Sequence, residues 1–223
     1  MTSPRIPLHS SFARAALVCL SLATSTAAQT ATRAAAPAPD PLVAAMDRGR
    51  IMGAESAQLW VLIVSDFQCP YCRQWHRDTW ETLRKEYVAT GKVRVAYMNL
   101  PLSIHPNARP AAVAAMCASA QGKFWQVADL IFNRQDRWKD IKNSRAYFDA
   151  LIREAGVDTA RHRACADSPA VGAVIDADYT RMSRAGAGST PTFFIGRSRL
   201  EGAEPMATFR RVIDAELAAA RRP

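Results

Sequence analysis

The run "LWVLIVSDFQCPYC", Leu59 to Cys72, constrains the fold more than any other part of the chain. Leu59 to Phe67 is short, apolar and rich in branched residues, the composition of a strand buried on both faces. Two cysteines follow, with only Pro70 and Tyr71 between them. After Pro70 the pattern changes: Cys72, Trp75, Leu83 and Tyr87 fall near one helical face, and Gly91 closes the segment. "KVRVAYMNL", Lys92 to Leu100, then alternates like a second strand. Strand, helix and strand in that order make a parallel unit, and they put the CxxC at the helix N-terminus.

A helix N-terminus presents unpaired N–H groups and the positive end of the macrodipole, both of which favour thiolate over thiol. Cys69 lies at or just before the first turn, and Pro70 fits the first helical position because it has no N–H to lose. Cys72 is one turn further in and faces the core. Cys69 is therefore expected to be an exposed nucleophile, and Cys72 the thiol that resolves the mixed disulfide it forms.

The compartment bears on that chemistry. Arg5 and Arg14, the apolar run "AALVCLSLA" and the small residues "TSTAAQT" have the layout of a secretory signal with cleavage near Ala28, so residues 1–28 are expected to be removed. The run is shorter than the about 20 residues of a membrane span. Val18 stands where a small residue would precede a lipidated cysteine, so Cys19 is expected to leave with the signal. From Gln29 to Pro41 the chain is Ala/Pro-rich without bulky residues, and residues 29–49 are assigned to a spacer. The rest, 50–223, is one domain's length, expected to be exported to the periplasm or beyond and soluble there.

Loss of Arg5 and Arg14 takes the formal charge from +9 to +7. The basic residues are scattered, without interleaved aromatics, which argues against a nucleic-acid partner. From Pro106 to Gly188 nearly everything reads helical, including "NARPAAVAAMCASAQ", "KFWQVADLIF", "SRAYFDALIREAG", "TARHRACA" and "SPAVGAVIDADYTRMSRAG", the last with Ser168 as N-cap and Pro169 at the first position. Strand character returns at "TFFIG", Thr192 to Gly196, with a partner strand around Leu200 to Gly202. Pro205 then opens a last helix with Phe209, Val212, Ile213 and Leu217 on one face. The fold class is α/β: a βαβ half, a helical insertion over about 104–188, and a ββα half.

In this order "DFQCPYC", "HPNARPAAVAAMCASAQGKFW" and "GSTPTFFIG" resemble the DsbA-like branch of the thioredoxin superfamily, over about Ile51 to Ala220. The resemblance implies a thioredoxin fold and a protein thiol:disulfide oxidoreductase. It implies a cis-proline at Pro191, whose loop lies against the CxxC, with the main chain of Thr190 placed to pair with an extended substrate. Pro70 and Tyr71 become supporting residues of the site; the family's strongest oxidant has His where Tyr71 stands. The disulfide Cys69–Cys72 is the redox group, with no other cofactor. The implied partners are exported proteins with free thiols and a membrane redox partner of the DsbB type. Isomerases of the superfamily typically add a dimerisation domain before the catalytic one; here the spacer leads almost straight into the first strand, so a monomer is expected.

Other uses of these residues fit the sequence less well. Zinc held by Cys69, Cys72 and His76 needs a fourth ligand, and no second CxxC or His pair stands at the usual spacing, so no metal is assigned. Covalent haem needs His directly after the second cysteine, where Arg73 stands. His76 reads as a surface or packing residue, and Asp66 as a turn former with a second possible role in moving protons at Cys72. Cys117 and Cys165 lie among alanines on helices that could face each other, and from the residues alone they are either joined or free small hydrophobes. The resemblance implies a second, non-catalytic disulfide there. The alternative functions are an isomerase or reductase of the same fold, and a chaperone or binding module with idle cysteines.

Overall fold

The computed structural model describes residues 40–220. The signal segment, Cys19 and the spacer as far as residue 39 lie outside the described residues. The first element corrects the end of the spacer: Pro41–Gly49 form helix α1. Asp40 Oδ1 caps it by accepting the Leu42 N–H at 2.8 Å, Pro41 presets φ in the first turn, and Met46 is fully buried. A cap and one anchored side chain here outweigh an Ala/Pro composition that reads as unstructured.

A two-residue strand, β1 (Ile51–Met52), precedes β2 (Leu59–Ser65). Helix α2 then spans 70–88. It starts as regular α-helix at Pro70–Trp75 and passes through two π-helical stretches, His76–Trp80 and Arg84–Val88. Strand β3 (Val93–Asn99) lies parallel to β2, from Leu59 opposite Val93 to Ser65 opposite Asn99. The insertion supplies α3 (Ala108–Ser119), α4 (Phe124–Asn133), α5 (Gln135–Trp138), α6 (Arg145–Glu154), α7 (Thr159–Ala166) and α8 (Pro169–Arg184). Ser168 Oγ caps α8 by accepting the Ala170 N–H. Strands β4 (Thr192–Ile195) and β5 (Ser198–Glu201) and helix α9 (Met206–Ala220) complete the described chain. The sheet order is β1-β3-β2-β4-β5, with β4 antiparallel to β2. The β4–β5 turn places Gly196 at φ 57°, where a Cβ would also strike the Glu216 carboxylate.

Both faces of the sheet are covered, as the unbroken apolar run of β2 requires. On one face Val61, Ile63 and Phe193 join Trp75, Phe209 and Ile213; the Phe193 and Phe209 rings meet edge to face at 4.8 Å. On the other, Val64, Met98 and Leu100 pack against Met182 of α8. Each fully buried side chain of this size contributes roughly 1.5–3 kcal/mol, so the βαβ and ββα halves are held by the same core. The π-helical stretches have a packing consequence: Trp75 and Trp80, and likewise Leu83 and Val88, are five residues apart and all buried. An α-helix would turn the second of each pair away from the core; one π turn returns it to the same face.

A buried ion pair and a disulfide are among the ties that brace the insertion. Asp178 of α8, fully buried, pairs with Arg50 at the end of α1 and accepts from the Asn99 side-chain and backbone N–H groups at 2.8 and 3.1 Å. Cys117 of α3 and Cys165 of α7 are joined by a disulfide, with their Cα atoms 5.6 Å apart and a sequence separation of 48.

Candidate active site

The polypeptide leaves β2 and makes a tight turn before α2, and that turn is fastened from several directions. Asp66 Oδ1 accepts the Gln68 N–H at 2.7 Å, while Oδ2 accepts the Leu102 N–H at 2.9 Å and lies 2.7 Å from His105 Nδ1. Asp66 is thus a turn former, and its carboxylate also binds the loop that leads into the insertion. Gln68 donates to the Lys139 carbonyl at 2.8 Å and accepts the Asn107 N–H. Gln135 of α5, fully buried, donates to the Phe67 and Cys69 carbonyls at 2.8 and 3.0 Å. His105, Asn107 and Gln135 escaped the sequence reading. Their partners lie 39 to 68 residues away in sequence, and no local period marks them.

Cys69 follows in extended conformation, φ −67° and ψ 126°, as the N-cap of α2, with Pro70 in the first turn. Its Sγ lies 3.3 Å from the carbonyl of Thr190, and the residue is only 3% exposed, which corrects the expectation of an exposed nucleophile: the loop of Thr190 packs against the helix start. The Thr190–Pro191 peptide bond is cis, and Thr190 and Pro191 are buried against the helix start. The sequence-assigned residues Cys69, Pro70, Cys72 and Thr190 thus converge, while Tyr71 between the cysteines is 62% exposed and open to a partner. His76 stays apart from the sulfurs: its Nε2 lies 2.8 Å from Asp129 Oδ1 and its ring stacks on Phe132.

Both thiols are free. Their surroundings divide them. The Cys69 thiol is drawn down to about 6, first by the neighbouring Cys72 side chain, then by the Thr190 side chain and by the backbone N–H groups of Cys72 and Tyr71 at the helix start, against the opposing effect of burial. The Thr190 hydroxyl is buried with no hydrogen-bond partner among the described residues. Burial pushes the Cys72 thiol well above its usual range, and a charge on Cys69 adds to that. At neutral pH Cys69 is therefore a thiolate and Cys72 a thiol: a nucleophile and a protonated partner one helical turn apart.

A cleft of about 990 Å³ opens beside the helix start, bounded by Gln68, Pro70, Arg73, His105 and Lys139 among others. No described helix is long and apolar enough to cross a membrane.

With this geometry in view, the comparisons fall into place. A family model described as thioredoxin matches residues 46–215. The solved structure of Wolbachia pipientis alpha-DsbA1 superposes with a TM-score of 0.68 at 20% identity, covering 77% of this chain and 92% of that one. The thiol-disulfide exchange protein alpha-DsbA2 of the same organism gives 0.64 at 18% identity, over 74% and 85%. A protein of Herminiimonas arsenicoxydans named Na(+)/H(+) antiporter NhaA is 34% identical over 165 residues, which are 74% of this chain and 25% of that protein. The chain thus spans about a quarter of that antiporter's length. The matched span includes the CxxC helix, the whole insertion and the Thr190–Pro191 loop, and the chain belongs to the thioredoxin family, with the insertion arranged as in DsbA structures.

Proposed function

We propose that the protein is an exported thiol:disulfide oxidoreductase that donates its Cys69–Cys72 disulfide to proteins with free thiols. The observation that carries this reading is the unequal state of the two sulfurs. Stabilising the Cys69 thiolate stabilises the reduced form, and a stable reduced form makes the disulfide a stronger oxidant. In the cycle, a substrate thiolate attacks Cys69 Sγ and the Cys69–Cys72 bond breaks. Cys72 leaves with the electron pair and takes up a proton. A second substrate thiolate then attacks the substrate sulfur of the mixed disulfide and displaces the Cys69 thiolate. The substrate has lost two electrons and the CxxC has gained them.

Thr190 supports the same reading. Its main chain lies beside Cys69, and Tyr71, two residues after Cys69, offers an exposed aromatic face for an extended polypeptide. The family resemblance supplies the re-oxidant, a membrane partner of the DsbB type. No cofactor beyond the disulfide is required, and a monomer suffices. The test is oxidation of a dithiol peptide by the oxidised protein, run beside refolding of a scrambled-disulfide substrate. Stoichiometric peptide oxidation with weak unscrambling supports the oxidase; strong unscrambling by the reduced protein points to an isomerase, and inactivity in both to a binding module.

A further inference from the structure

The carbonyls of Phe67 and Cys69, on either side of Gln68, are both met by one side chain from the insertion. Gln135 is 2% exposed, and its amide nitrogen donates to the Phe67 carbonyl at 2.8 Å and to the Cys69 carbonyl at 3.0 Å. A primary amide is the neutral side-chain group with two N–H donors on one atom, so it bridges two carbonyls without bringing a charge inside. The Cys69 carbonyl also accepts the Arg73 N–H at 3.2 Å, and the Cys69 N–H donates to the Asp66 carbonyl at 3.1 Å. Cys69 is therefore held on both of its peptide groups, and the direction in which its side chain leaves the backbone is fixed with them.

Gln135 is held in its turn. Trp138, on the same short helix, is fully buried and donates its Nε1–H to the Ile131 carbonyl of α4 at 2.8 Å. Asn107, the N-cap of α3, shares the two N–H donors of its amide among the Trp138, Lys139 and Ile141 carbonyls at 3.2, 3.0 and 2.9 Å. Gln68 closes the ring through the Lys139 carbonyl and the Asn107 N–H. The end of α5 is thus fastened to α3 and α4, and Gln135 carries that fixity to the cysteine.

We propose that Gln135 is a positioning residue for the redox reaction: its two hydrogen bonds hold Cys69 in the extended N-cap conformation that sets the sulfur against the first-turn N–H groups of α2. The helical insertion thereby sets the reactivity of a sulfur that belongs to the βαβ half. This rests on the reading of Cys69 as the nucleophile. The amide bonds to the backbone of the turn, so it acts through Cys69 geometry. Without it two carbonyls lose a buried donor, the turn shifts toward other donors, and the sulfur loses part of its contact with the Tyr71 and Cys72 N–H groups.

Gln135→Met keeps the length of the side chain and removes both donors. The reduced variant is alkylated with iodoacetamide across pH, and labelling at Cys69 is followed by peptide mass. The pH of half-maximal rate is expected to rise by about one unit, the shift that the loss of one hydrogen bond produces, so labelling at pH 6 falls about fivefold. In glutathione buffers at pH 7 the same loss should move the equilibrium about fivefold toward the disulfide form. Trp138→Phe controls for general loosening, because the bond it loses lies within the insertion. It should lower the urea midpoint and leave the Cys69 profile at that of the wild type. Gln135→Asn, whose amide stops one methylene short, takes the place of Gln135→Met should that variant fail to fold, and is expected to shift the profile in the same direction. A wild-type profile in the folded Gln135 variant overturns the proposal, and so does an equal shift in Trp138→Phe. Failure of the underlying reading looks different: Cys72 would then be labelled ahead of Cys69 in the unmutated protein.

Discussion

The two cysteine pairs are equally hidden and differently used. Cys69 and Cys72 are 3% and 1% exposed, Cys117 and Cys165 0% and 4%, so burial does not separate them. Their neighbours do. The first pair sits where a strand becomes a helix, among a carbonyl, a hydroxyl and the free N–H groups of a first turn. The second joins α3 to α7, inside the apolar core that also holds Ala114 and Ala118. A pair is thus made reactive by the backbone polarity around one of its members, and made structural by apolar surroundings and a long intervening chain.

The sharpest way to break this comparison is to remove one sulfur from each pair. Cys69→Ser should abolish oxidation of a dithiol peptide, and Cys72→Ser should trap mixed disulfides through Cys69, visible by mass under non-reducing conditions. Replacing Cys117 and Cys165 together with Ala should leave peptide oxidation at the wild-type rate. The same double variant should be less stable in urea by about 2–4 kcal/mol, since a disulfide closing so long a loop restricts the unfolded chain strongly. If it loses its redox activity instead, the two pairs are not independent.

A smaller effect concerns the residue between the active cysteines. Tyr71 lends no positive charge to the Cys69 thiolate, so the reduction potential should lie between thioredoxin at about −270 mV and DsbA at about −120 mV. Tyr71→His should raise it by about 30 mV or more, the equivalent of about 1.4 kcal/mol for two electrons. Equilibration with glutathione buffers measures both. An unchanged potential would show that the helix-terminal N–H groups alone set the thiolate.

The same thiolate makes the stability of the reduced protein depend on pH. Because the Cys69 thiol titrates near 6 when folded and near 9.0 as an ordinary thiol, the unfolded chain holds the extra proton between those values. The reduced protein should therefore gain stability as pH rises from about 6, and lose that contribution as pH falls back through 6. Cys72 works in the opposite sense only above its ordinary titration range, since its folded-state value is raised. The urea midpoint of the reduced protein should rise between pH 6 and pH 8, and Cys69→Ser should flatten that rise.

Much of this is legible in the sequence. The parallel βαβ unit showed in the change from the apolar run of Leu59 to Phe67 to the helical stripe after Pro70, because those periods are local. The helices of the insertion showed in their alanine-rich faces and in the Ser168–Pro169 start. Helix α1 was missed because nine residues carry too little periodicity to compete with their Ala/Pro surroundings, although Asp40 and Pro41 marked its start. Trp80 was missed because the helical stripe was read at 3.6 residues per turn, and a π turn restores its face at five. The anchors Gln68, Asn107 and Gln135, and the Arg50–Asp178 pair, depend on residues brought together across the fold, which one-dimensional patterns do not record.

The central claim is that the two active-site sulfurs are held in opposite protonation states, and alkylation of the reduced protein across pH tests it most directly. With iodoacetamide and peptide-level mass detection, Cys69 should label first, with a rate that is half-maximal at about pH 6, while Cys72 stays unlabelled at neutral pH. Preferential labelling of Cys72, or a Cys69 rate that rises only near the ordinary thiol value of 9.0, would contradict it.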